Sequence, residues 1–91
     1  MNEDVLRFIK DKIAFCAGAA NNCLHKRDFY QAGIKGGNVT ALIIMLEKLG
    51  YDVQCECINN IDGTMTFDKI IINKETIFER GAFKNVDFPA P

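Results

Sequence analysis

The first third of the chain has the hydrophobic spacing of an amphipathic helix. Over residues 4–24, apolar residues recur at intervals of three and four: Leu6, Ile9, Ile13, Cys16, Ala20 and Cys23. These intervals place one apolar stripe along one side of an α-helix. Val5, Phe8 and Phe15 form a second, partial stripe. A helix with one packing partner needs one apolar side, so the second stripe predicts a further surface that the sheet, the C-terminal tail or another subunit covers.

A second helix is predicted after a short polar break. Asp28 is a candidate N-cap, because its carboxylate can accept hydrogen bonds from the first backbone N–H groups of the helix. Residues 29–49 then lead to Gly50, and glycine commonly follows the last turn of a helix. Residues 42–46 are apolar nearly all round, which is typical of a helix buried on more than one side.

Three glycines weaken the middle of this second helix. Gly33, Gly36 and Gly37 each cost up to about 1 kcal/mol relative to alanine in a helix interior. We expect them to lie opposite the small residues of the first helix, so that the two backbones approach closely and gain dispersion contacts.

After Gly50 the hydrophobic period changes to two. Val53, Cys55 and Cys57 alternate with polar residues, as in a half-buried strand. An Asp-Gly pair at 62–63 is a strong hairpin signal, and a second strand is predicted over residues 64–72. Residues 73–74 form the next tight turn, and a third strand covers residues 75–80. Because two prolines close the chain, residues 81–91 are predicted to be an extended tail.

These elements predict an α+β fold in a single domain, residues 1–91. An antiparallel helical hairpin spans residues 4–49, and a three-stranded antiparallel β-meander spans residues 52–80. A 91-residue chain buries only about 60% of the surface that it exposes when unfolded. Association with a second copy would increase that burial, so we expect a homo-oligomer.

Composition and charge exclude several partners. An apolar fraction of 48% and a net charge of −1 are typical of a chain that folds. The chain also lacks the excess of basic residues that a nucleic-acid binder normally has. No apolar run approaches the ~20 residues that span a bilayer, so we expect no membrane partner. The first residues are acidic where a signal peptide is basic, which predicts a cytoplasmic protein.

The four cysteines are a candidate metal site. Cys55 and Cys57 have only one residue between them, whereas zinc knuckles usually have two to four. Cys16 and Cys23 fit the core stripe. Free cysteine behaves as a small buried hydrophobe, so we interpret all four as core residues and predict no metal and no cofactor.

No catalytic constellation is evident. The chain contains no serine and one histidine, His25. The nearest thiol, Cys23, follows the helical pattern away from it, and a cysteine nucleophile needs an oriented base. We therefore expect a protein that is not an enzyme, and a small metal- or thiol-dependent enzyme is the least favoured alternative.

A set of basic and polar residues is the candidate site for an anion. If copies associate, such residues from two subunits would converge on one small anionic, nucleotide-like ligand. The candidates are His25, Lys26, Arg27, Lys35, Asn38, Arg80 and Lys84. The segment 35–40 is rich in glycine, but its spacing differs from that of a phosphate-binding loop.

Two binding functions follow from these residues. By analogy with short accessory proteins of phages and other mobile elements, the leading hypothesis is a homo-oligomeric inhibitor or sponge that sequesters the anionic ligand. The alternative is an interaction module that binds a protein partner through an apolar helix face and the tail. The candidate interface residues are Phe8, Phe15, Ile44, Met45, Phe83 and Phe88.

Overall fold

The computed structural model describes residues 1–81, which form two helices and a three-stranded antiparallel sheet. The elements are α1 (Glu3–His25), α2 (Phe29–Lys48), β1 (Val53–Asn59), β2 (Met65–Ile72) and β3 (Glu75–Glu79). The predicted α+β fold, a helical hairpin followed by a β-meander, is therefore confirmed. The predicted tail, with Phe83, Lys84 and Phe88, lies outside the described residues.

Helix α1 begins at a cap that the hydrophobic pattern does not reveal. The side-chain oxygen of Asn2 accepts a hydrogen bond from the Val5 backbone N–H at 2.8 Å. Glu3 and Asp4 place negative charge in the first turn, where it interacts favourably with the helix dipole. The predicted apolar stripe faces the core, with Ile13 fully buried.

The boundaries of α2 agree with the prediction. The Asp28 carboxylate accepts a hydrogen bond from the Gln31 backbone N–H at 3.2 Å, as expected of an N-cap. Gly50 has a φ of 93°. In this left-handed conformation glycine carries no Cβ penalty, so the chain leaves the helix there without strain.

The sheet has β2 at its centre and β1 and β3 at its two edges. Cys55 pairs with Ile70 and Cys57 pairs with Phe67, and the register shifts between these pairs. Asp68 is thus the extra residue of a bulge in β2. Because of this bulge, Phe67 and Ile70 are both buried although they are three residues apart.

The core lies between the helices and one side of the sheet. Val39 and Leu46 of α2 and Ile70 and Ile72 of β2 are fully buried. Helix α1 packs over β2 and β3, whereas α2 meets β1 at few positions. Strand β1 is consequently the least covered element of the described chain.

The predicted burial of β1 is wrong for both of its cysteines. Val53 is partly buried, but Cys55 and Cys57 are exposed, so they are not core residues. Their alternation correctly places them on the helix side of the sheet, opposite Ile70 and Phe67. They remain exposed because α2 does not extend far enough over this edge strand.

The predicted close crossing at the glycines is also wrong. A Cβ atom added to Gly33 or Gly37 would meet nothing within 4 Å, and one added to Gly36 would meet the Phe67 ring at 3.8 Å. Val39 and Leu46 are the buried residues of α2, so they determine which side of the helix faces the core. Gly33 and Gly37 lie on other sides of the helical turn, where no atom of α1 is in contact with them.

Candidate functional site

A groove opens between α2 and the edge strand β1, on the helix side of the sheet. It has a volume of about 570 Å³ and a mostly apolar lining. Its lining residues are Ala20, Leu24, Phe29, Ala32, Gly33, Gly36, Thr40, Ile43, Ile44, Glu47, Cys55, Cys57, Thr64, Met65 and Phe67.

Small residues of α2 keep this groove open. Gly33 and Gly36 contribute no side chain, and the Thr40 hydroxyl turns back to donate a hydrogen bond to the Gly36 carbonyl oxygen at 3.1 Å. The Phe67 ring lies beneath Gly36. Gly33 and Gly36 therefore leave space for the groove and do not mediate a close crossing of the helices. A bulky residue at either of these two positions would narrow the groove.

Two thiols lie together in the β1 wall of the groove. The Sγ atoms of Cys55 and Cys57 are 3.9 Å apart, and both residues are exposed. Within residues 1–81, no three His, Cys, Asp or Glu side chains converge to hold a metal ion. The pair is thus a two-donor cluster without a third hard or thiolate ligand among the described residues.

The thiol of Cys55 is held in its neutral form. The residue as a whole is exposed, but protein atoms around its sulfur displace water that would stabilise the thiolate. This loss of solvation is the largest cause that raises the pKa of Cys55 from 9.0 to about 12. The charge and hydrogen bond of Cys57, and then the charge of Glu56, act in the same direction. A nucleophilic cysteine needs the opposite shift, so the geometry offers no activated thiol at Cys55.

A second apolar surface covers the outside of the helical hairpin, away from the sheet. We call it the outer helical face and define it by six exposed residues: Val5, Phe8, Phe15, Ile34, Met45 and Leu49. The first three belong to α1 and the last three to α2. Helical spacing places each of these two sets on one side of its own helix. Phe8 and Phe15 are 67% and 68% exposed. The predicted second stripe of α1 is therefore left uncovered by the sheet.

The predicted interface residues fall on different surfaces. Phe8, Phe15 and Met45 belong to the outer helical face, whereas Ile44 lines the groove. Phe83 and Phe88 lie outside the described residues.

The predicted anion ligands do not form one cluster in a single chain. His25, Lys26 and Arg27 are exposed at the turn between the helices. Lys35 and Asn38 lie further along α2, and Lys84 is outside the described residues. Arg80 follows β3, at the sheet edge opposite β1.

Arg80 pairs with a carboxylate, and Arg27 lies over an aromatic ring with a carboxylate nearby. The Arg80 Nε atom is 3.2 Å from the Asp68 Oδ1 atom. The Arg27 guanidinium lies 5.4 Å from the centre of the Phe29 ring. Hydrogen bonds from Thr64 lower the pKa of Asp62, and the charge of Arg27 makes a smaller contribution in the same direction. An added anion would have to compete with these acidic neighbours.

Sequence reasoning missed Asn21, which joins α1 to the sheet. Its Nδ2 group donates a hydrogen bond to the Phe67 carbonyl oxygen at 2.9 Å, and its Oδ1 atom accepts one from the Phe67 N–H at 2.9 Å. The side chain thus satisfies the backbone of β2 beside the bulge. An asparagine in a helix interior is unfavourable, and that mismatch is the signal that marks the position.

No protein-family model, curated protein or solved structure matches this chain. Among residues 1–81, neither helix combines the length and the hydropathy required to cross a lipid bilayer.

Proposed function

We propose that this protein is a non-catalytic binding module that acts as a homodimer and associates through the outer helical face. The observation that carries the proposal is the exposure of six large apolar side chains, three along one side of α1 and three along one side of α2. Isolated exposed apolar residues are ordinary, but contiguous patches of several hundred Å² mark interaction surfaces.

The exposed area matches one side of a dimer interface. The six side chains are between 40% and 68% exposed. At about 150–250 Å² for a fully exposed aromatic side chain, and less for an aliphatic one, they present on the order of 500 Å² of apolar surface. A standard interface buries about 800 Å² per partner, of which roughly 65%, or about 500 Å², is apolar in homodimers.

The charges around the face favour a second copy as the occupant. Asp4, Asp11 and Lys12 are exposed on α1 beside Phe8 and Phe15. In an isologous interface the same surface meets itself, so a rim that carries both signs can be self-complementary. A rim of one sign would repel its own copy and would instead favour an oppositely charged partner.

The anionic-ligand version of the function has less support. Its arginines, Arg27 and Arg80, lie near Asp62 and Asp68, and the set is spread over the helix turn, α2 and the far sheet edge. A phage-type inhibitor or sponge, and a cytoplasmic location, remain hypotheses. The ligand version predicts that replacing Arg27 and Arg80 by alanine abolishes binding of a nucleotide.

The test is the oligomeric state of the Phe8→Glu/Phe15→Glu variant. Light scattering coupled to size-exclusion chromatography, at micromolar concentrations, should give a dimer for the wild type and a monomer for the variant. Burying a carboxylate at either position would place an unpaired charge in the interface. Both positions are exposed among residues 1–81, so the far-UV circular dichroism spectrum should not change.

Ile61→Glu is the matched control. Ile61 is fully exposed in the β1–β2 turn and lies outside the outer helical face, so this variant should remain dimeric. A monomeric wild type, or equal dissociation of the control and the double variant, would reject the outer helical face as the interface.

A further inference from the structure

The thiol pair in the groove departs from the usual behaviour of free cysteine. Free cysteines are among the most buried residues, yet Cys55 and Cys57 are both exposed. Their Sγ atoms are 3.9 Å apart on the same side of β1. The strand therefore presents two sulfur donors in one direction.

This separation suits two ligands of one metal ion. With metal–sulfur bonds of about 2.3 Å, two sulfurs 3.9 Å apart subtend an angle of about 115° at the metal. That angle lies close to those of trigonal and tetrahedral coordination. The pair needs little movement to chelate.

The lining of the groove holds one further sulfur donor, and it also holds the Glu47 carboxylate, which does not converge with the two thiols on a metal position. Met65 lines the groove, and on β2 it follows the helix-side alternation that includes Phe67, the cross-strand partner of Cys57. Thioether and thiolate sulfur select soft ions such as Cu(I), whereas structural zinc takes four nitrogen, oxygen or thiolate ligands. No third ligand of the kind that zinc prefers converges here among residues 1–81.

We propose that Cys55 and Cys57 chelate a soft, thiophilic cation, Cu(I), at the β1 wall of the groove, with the thioether of Met65 as a neutral third donor. The step involves no change of oxidation state. Each thiol releases its proton to solvent and forms one sulfur–copper bond, so Cu(I) and two thiolates give a site with one negative charge. Affinity therefore rises with pH, since protons compete with the metal for the same sulfurs.

The test is an anaerobic competition titration with Cu(I) and a chromophoric Cu(I) chelator, in the presence of a reductant that keeps all thiols reduced. The wild type should withdraw one Cu(I) per chain, with thiolate-to-copper absorption in the ultraviolet. Cys55→Ser and Cys57→Ser should each lose affinity at least about tenfold. Both substitutions are at exposed positions, so circular dichroism should show an unchanged fold.

Cys23→Ser is the matched control. Cys23 is a partly exposed thiol on α1, apart from the pair, and its replacement should leave the affinity unchanged. Failure of the wild type to compete, or an equal loss in the Cys23→Ser variant, would overturn the assignment. So would Zn(II) binding more tightly than Cu(I) at one zinc per two chains, because that stoichiometry indicates a four-thiolate site between copies.

The site does not depend on the proposed dimer interface. The Phe8→Glu/Phe15→Glu variant should bind Cu(I) as the wild type does, since the outer helical face and the groove are different surfaces. Loss of Cu(I) binding in that variant would contradict a site built within one chain.

Discussion

Removing the Asn21 side chain would leave two backbone groups of Phe67 without hydrogen-bond partners. Asn21 both donates to and accepts from the Phe67 backbone, at 2.9 Å in each direction. The Arg80 N–H reaches β2 one residue further along, at the Asp68 carbonyl oxygen, at 2.8 Å. Within residues 1–81, the bond from Arg80 is the last one that the chain around β3 makes to β2. Asn21 thus takes over at Phe67 and hydrogen-bonds the next residue of β2.

The expected loss can be worked out from these two bonds. Each contributes about 1 kcal/mol net, and a buried polar group left unpaired costs about 1–3 kcal/mol. The groups are only partly buried, so water would recover some of that cost. Alanine also gains roughly 0.5 kcal/mol of helix propensity over asparagine. We expect Asn21→Ala to lower the free energy of unfolding by about 2 kcal/mol, or the melting midpoint by about 8–16 °C in a domain of this size.

Asn22→Ala provides the control, because it makes the same chemical change one position further along α1. Asn22 is also partly buried, but its side chain makes no hydrogen bond within the described part of the chain. Its replacement should change stability by no more than about 0.5 kcal/mol. Urea unfolding followed by circular dichroism, at one fixed protein concentration, measures both variants. Equal effects of the two substitutions would refute the argument that Asn21 holds α1 to β2.

Three further predictions concern two glycines and the loss of stability at acid pH. Gly33→Ala should raise the free energy of unfolding by about 1 kcal/mol, because the added Cβ meets nothing within 4 Å. Gly50→Ala should lower the free energy of unfolding by a similar amount, since φ is 93° at Gly50. Thermal unfolding measures the stability of both glycine variants. A destabilised Gly33→Ala variant would contradict an open groove. The hydrogen bond and charge of Lys10 lower the pKa of Glu75 from 4.5. As the pH falls, the unfolded chain therefore takes up this proton before the folded chain does. The stability that Glu75 contributes is lost as the pH falls through the folded-state pKa. Glu75→Gln should reduce the loss of stability on acidification in urea titrations, and an unchanged acid limb would show that the ion pair is not the cause.

The local elements could be predicted because their causes are local. Asp28 caps α2 through a contact with Gln31, three residues away. The turn at Asn73 and Lys74, with φ values of 48° and 69°, follows from residue types and from strands of period two. Such features depend on neighbouring side chains and backbone sterics, so the sequence pattern is sufficient evidence for them.

The candidate sites depended on which surfaces the helices cover. A period of two places Cys55 and Cys57 on the helix side of β1, but it does not show whether a helix lies over them. The sequence likewise gave no direct reason to pair Asn21 with Phe67, which is 46 residues away. The low helix propensity of asparagine marks Asn21 as unusual, but it does not show which residue its side chain contacts.

The sequence by itself determined the order of elements, their boundaries and the stripe of α1 that faces the core, because hydrophobic period and capping act over a few residues. The tertiary structure decided that α1 lies over β2 and β3 while α2 leaves β1 largely uncovered. That choice exposes the thiol pair and opens the groove at Gly33 and Gly36. The physical reason is that burial depends on how whole elements pack against each other, and the bulge at Asp68 and the small residues of α2 affect that packing over long distances in sequence.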